Sequence, residues 1–79
     1  MKINYTPDEI KLAREIADTL NDMDSLPMHL ILVRKYKEEF LREKLNKVMS
    51  IPESQIKRSR AALYIFLINQ NGRHGDARH

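Results

Sequence analysis

The chain contains no cysteine, and at 79 residues that absence is the tightest constraint on what it can fold into. A domain of this size buries only about 60% of its unfolded surface, and one small core rarely yields more than about 3–5 kcal/mol of net stability. Short chains often add disulfides or a cysteine-bound metal to such a core, and neither can be built from these residues. Close packing of well-formed helices and self-association are the routes that remain. Composition favours the first, because Ala, Leu, Ile, Lys, Glu and Arg fill the body and both glycines, Gly72 and Gly75, lie near the C-terminal end. The expectation is an all-α fold, a small bundle of three to four helices in a single domain over residues 1–71. The tail at 72–79, "GRHGDARH", carries no apolar residue larger than Ala77 and is expected to be flexible.

Local signals place the helices. In "TPDE" at 6–9, Thr6 can accept from the Glu9 amide, Glu9 can reach back to the Thr6 amide, and Pro7 fits the first helical position. Asp8 and Glu9 suit the positive end of the helix dipole. Ile10, Ala13, Ile16, Ala17 and Leu20 then recur at helical spacing, which predicts a first helix over about 7–21. "NDMDSLP" at 21–27 breaks it. Beyond Pro27, Leu30, Val33, Tyr36, Phe40, Leu41, Leu45 and Val48 keep steps of three or four apart from the adjacent Phe40 and Leu41; periodicity alone leaves 27–49 as one helix or as two bent near "KYKEE".

The last third is ambiguous in a way that matters. "SIPE" at 50–53 carries a capping-box pattern, Ser50 to Glu53, that would start a helix running to "NQNG". The alternative is a single turn at 52–56 and a restart with Ser59 as N-cap. The first option puts the cations of "IKRSR" mid-helix; the second crowds them at a helix N-terminus, whose amides attract anions. "AALYIFLI" at 61–68 suits a helix, with a buried strand as the competing assignment. As a helix it is apolar all round and needs cover on every side. The expected core is Ile10, Ala13, Ile16, Ala17, Leu20, Leu30, Val33, Phe40, Leu41, Leu45, Val48, Leu63, Phe66 and Leu67.

Little here resembles catalytic chemistry. Ser25, Ser50, Ser54 and Ser59 sit where caps or turns explain them, and no glycine-rich phosphate loop exists. Glu38 and Glu39 read as ion-pair partners of a Lys/Arg-rich helix, with Glu38–Arg42 and Glu43–Lys47 four apart. His29 lies among apolar neighbours and reads as a packed structural histidine. His74, Asp76 and His79 form a loose set without the fixed geometry of a metal site. Neither an enzyme nor a cofactor or metal protein is expected. The longest apolar runs fall short of the roughly 18–20 residues that span a bilayer, so no membrane role is expected and a cytoplasmic location is the default.

Charge is unevenly spread. Residues 1–26 hold three Lys/Arg and six Asp/Glu, net −3; residues 27–60 hold nine and four, net +5. Such polarity, with the acidic first helix on the far side, fits a module that docks on nucleic acid through one basic face. The expected phosphate contacts are Lys57, Arg58, Ser59 and Arg60, supported by Arg34 and Lys37. The alternative is a protein-interaction or homodimerising bundle whose surplus apolar surface, on 61–68 (Leu63, Tyr64, Ile65 and Ile68) or on 28–33, is the working face. "IPESQIKRSRAALYIFL", about a fifth of the chain, resembles a helical segment near the ends of bacterial phage and plasmid replication-associated proteins, with Arg58, Ser59 and Arg60 matching its basic–Ser–Arg step. That resemblance implies an accessory role on replication or mobile-element complexes.

Overall fold

The structure, a computed structural model, describes residues 4–71. Four α-helices follow one another: α1 (Pro7–Thr19), α2 (Leu26–Lys35), α3 (Glu38–Ser50) and α4 (Arg60–Asn71), with short 3-10 turns at Met23–Ser25 and Glu53–Gln55. The fold is all-α, with no strand among the described residues; "AALYIFLI" is helical. The tail at 72–79 lies outside the described residues.

The first helix begins as its sequence dictates. The Thr6 hydroxyl accepts from the Glu9 amide at 3.1 Å, and the Thr6 amide donates to Glu9 Oε1 at 2.8 Å. It ends where Asn21 takes a left-handed conformation, φ 55°, a geometry Asn tolerates better than most residues. The Asp22 amide then donates to Ala17 O at 2.7 Å and the Asn21 amide to Asp18 O at 3.0 Å, closing the exposed carbonyls in a Schellman pattern.

Residues 27–49 prove to be two helices. Tyr36 and Lys37 are both extended, with ψ near 157° and 146°, and the break needs neither Gly nor Pro. Charge order explains it: Arg34 and Lys35 face the negative end of α2, and Glu38 and Glu39 face the positive start of α3. A continuous helix would forgo both dipole interactions. Tyr36 is buried and packs against Phe40 with ring centroids 5.3 Å apart.

The Ser50 capping box is not formed. The Ser50 hydroxyl donates backwards to Lys47 O at 2.7 Å, and α4 starts only at Arg60. Ser59 is its cap, accepting from the Ala62 amide at 3.0 Å.

The core contains Ala13, Ile16, Ala17, Leu20, Val33, Phe40, Leu41, Leu45 and Val48, as their spacing implies, with Leu30, Leu63 and Leu67 half-buried against it. Leu12, Tyr36, Tyr64 and Ile68 join them. Two expected core residues stand outside: Ile10 is 39% exposed and Phe66 is 57% exposed. On α1 the buried stripe comprises Leu12, Ala13, Ile16, Ala17 and Leu20, and at about 100° per residue Ile10 falls about 90° from its centre, at its edge. Tyr64 and Ile68, expected on an interface, are instead wholly enclosed by this chain's own core.

The charged segments also fold onto each other rather than onto opposite faces. Arg34 on α2 grips Glu9 of α1 through Nη2 at 2.7 Å and Nε at 3.3 Å. Arg42 on α3 forks onto Glu15 of α1 at 2.7 and 3.2 Å and bonds Glu38, four residues back, at 2.7 Å. Glu43 pairs with Lys44 at 3.2 Å rather than with Lys47. The acidic helix is thus the counter-surface of the basic middle segment.

The register of α4 gives a direct test by urea unfolding. Ile68→Val, one methylene at a fully buried site, should cost about 0.5–1.5 kcal/mol. Phe66→Ala, which removes far more atoms from an exposed site, should stay within about 0.5 kcal/mol of the parent.

Candidate functional site

The position of every side chain on α4 follows from its first residue. Arg60 Nη1 donates to Val48 O at 2.7 Å and to Ile51 O at 2.9 Å, two carbonyls at the end of α3, the first of which also takes the Ile51 amide at 3.3 Å. Arg60 therefore faces inward. Residues four and eight further on, Tyr64 and Ile68, share its stripe and are fully buried. Tyr64 reaches Leu41 O with its hydroxyl at 3.5 Å, and burial pushes that hydroxyl's pKa up. At 100° per residue, Phe66 lies about 200° from Tyr64 and so points away from the core.

The outward stripe of α4 forms one wall of a cleft of about 310 Å³. Ala62, Leu63 and Phe66 line it from the helix, and Ile56 completes an apolar wall. Gln55, Lys57, Arg58 and Ser59, from the segment leading into α4, form its polar rim. Lys57 and Arg58 are exposed and make no hydrogen bond or ion pair among the described residues. Both lie at the positive end of the α4 dipole, where a cation is not neutralised by its surroundings.

The six residues expected on phosphate therefore divide. Lys57, Arg58 and Ser59 come together on this cleft, with the Ser59 hydroxyl already engaged as a helix cap. Arg60 is turned inward and holds the end of α3. Arg34 is committed to α1: besides Glu9 it bonds Asn4 O at 2.6 Å and lies over the Tyr5 ring at 4.5 Å. Lys37 is exposed at the start of α3 and does not line the cleft. Of the four interface residues, Leu63 lines the cleft and Ile65 is half-buried, while Tyr64 and Ile68 are core. Phe66, Ile56 and Ala62 are the contributors that periodicity missed. The sequence alone gives almost no signal for them: the four-residue spacing Arg60–Tyr64–Ile68 assigns Phe66 to the opposite face only through the contacts that make Arg60 an anchor.

Other ionisable groups have structural duties. The hydrogen bond from Arg34 and the amide of Thr6 pull the Glu9 carboxyl from its ordinary 4.5 down to about 2. Arg42 lowers Glu15 in the same way, chiefly through its hydrogen bond. His29 is fully buried, and because a carboxylate only accepts, its Nε2 carries the proton donated to Asp22 Oδ2 at 2.9 Å. No group of three or more His, Asp or Glu that could hold a metal occurs among the described residues, and the His74, Asp76 and His79 set lies outside them. Among the described residues no helix is long and apolar enough to cross a membrane. Comparison with protein-family models, curated proteins and solved structures finds no match to the chain.

Two predictions separate anchors from free cations. Arg60→Ala should cost about 1.5–3 kcal/mol, the range for hydrogen bonds to a charged group, whereas Arg58→Ala should stay within about 0.5 kcal/mol; chemical denaturation reads both. For Glu9, a folded pKa below the unfolded value means stabilisation that is complete above pH 4.5 and is lost as pH falls towards 2. Arg34→Gln should return the Glu9 titration, followed by carboxyl NMR, towards 4.5 and remove that acid-side loss.

Proposed function

We propose that this protein is a non-enzymatic docking module that binds a segment of another protein through the cleft at the start of α4. Support comes above all from Phe66, an aromatic side chain left 57% exposed beside Leu63, Ala62 and Ile56, and the most exposed of the five large exposed hydrophobic residues among the described residues. Burying such a ring on binding is favourable by about 25 cal/mol per Å² of apolar surface removed from water. A pocket with an apolar wall and a few polar groups at its edge is the usual form of a recognition site.

Phosphate-backbone binding is the weaker use of the same residues. Two of the expected cations, Arg34 and Arg60, are bonded within the chain. Lys57 and Arg58 remain at the cleft, and two phosphate contacts supply little of the counterion release that drives nucleic-acid binding.

Two measurements test the choice. Anilinonaphthalene sulfonate, an aromatic anion matched to an apolar wall with a cationic rim, should fluoresce with the parent protein and much less with Phe66→Ala. Labelled duplex DNA and single-stranded RNA should bind no tighter than about 10⁻⁴ M at near-physiological salt. A dissociation constant below about 10⁻⁶ M for either nucleic acid under those conditions, weakened by Lys57→Ala and Arg58→Ala, would replace docking by the phosphate reading.

A further inference from the structure

We infer that the occupant of the cleft is an acidic amphipathic helix of a second protein, with an apolar side chain against Phe66 and Leu63 and carboxylates on Lys57 and Arg58; this rests on the docking reading above. The cleft is chemically graded along α4. Its apolar end is at Phe66, and its cationic end is at the loop carrying Lys57 and Arg58, before the Ser59 cap. From Ser59 to Phe66 the helix rises about 10 Å, two turns. A bound helix with a large apolar residue at one position and Asp or Glu about one to two turns away meets both ends at once.

Charge selects this occupant over the others. Lys57 and Arg58 have no partner among the described residues, so an incoming carboxylate gains an ion pair without displacing one. On a second copy of this chain the exposed carboxylates Asp8, Asp18, Asp24, Glu39 and Glu53 are spread over α1, α3 and both 3-10 turns rather than gathered on one helix. The α1 carboxylates Glu9 and Glu15 are bonded to Arg34 and Arg42, and the outer side of α1 mixes Lys11 and Arg14 with Glu15 and Asp18. Nucleic acid would find two cations, one ring, Phe66, to stack a base on and Gln55 for a base edge, beside an otherwise aliphatic wall of Ile56, Leu63 and Ala62, fewer contacts than a groove that tracks the backbone provides.

Selection of a displayed library of random peptides on the full chain tests the assignment without presuming a sequence. Recovered peptides should combine a large apolar residue with Asp or Glu one to two helical turns away. The double variant Lys57→Glu, Arg58→Glu should bind them about tenfold or more weakly, and replacing their acidic residues by Lys should restore binding to that variant. All three cleft substitutions are at exposed positions, and circular dichroism verifies that each variant is folded. Peptides lost on Phe66→Ala but lacking acidic residues and indifferent to the charge reversal would overturn the acidic occupant and leave the docking reading standing. Recovery of no binder, or of binders unaffected by Phe66→Ala, would overturn both. Tight, salt-sensitive RNA or DNA binding lost on the charge reversal would assign the cleft to nucleic acid instead.

Discussion

The geometry of this small bundle depends on one guanidinium. Arg60 closes the end of α3 by bonding Val48 O and Ile51 O, and in doing so fixes both where α4 begins and how it is rotated. In a chain with no disulfide to join its halves, a charged group on two backbone carbonyls is among the stronger polar links available. With Arg60 inward, Tyr64 and Ile68 fill the core and Phe66 is carried to the surface. The stability of the fold and the exposure of its candidate site are therefore set by the same contact.

A similar economy governs the charges. Glu9 with Arg34 and Glu15 with Arg42 join α1 to α2 and α3, so the acidic beginning of the chain takes up two of the nine cations of its basic middle. Exposed pairs of this kind contribute little individually, but bidentate arginine geometry gives them orientation, and orientation is what three short helices need. Their second consequence is subtraction. Once these arginines and Arg60 are engaged, Lys57 and Arg58 are what the cleft has left to offer an anion, next to an apolar wall rather than within a basic field.

Much of this was legible in the sequence, for local reasons. The Thr6–Glu9 box, Pro7 and the apolar steps of α1 are each readable within a few residues, and the structure follows them. So was the Ser59 restart, as one of two options. The choice between the options was not, because Ser50 and Ser59 offer comparable caps; what decides is Arg60 reaching α3, a contact between residues 12 apart in sequence. The break at Tyr36 and Lys37 had a signal in the order of charges, Arg34 and Lys35 before Glu38 and Glu39. The phase of α4 had almost none, since a helix apolar all round does not declare its buried face. That is why Phe66 was read inward and Tyr64 and Ile68 outward. The pairing of acidic α1 with basic α2 and α3 was hidden for a related reason: net charge per segment says nothing about which surfaces meet.

The chain has two phenylalanines, which makes the rotation of α4 directly measurable. Phe40 is 8% exposed and Phe66 57% exposed. Fluorine NMR on protein made with fluorophenylalanine gives one resonance for each ring, assigned by Phe66→Leu. The account predicts that the Phe66 resonance shifts between H₂O and D₂O and broadens with a soluble paramagnetic agent, while the Phe40 resonance does neither. Equal protection of both rings would place Phe66 in the core, remove the cleft, and contradict the role given to Arg60.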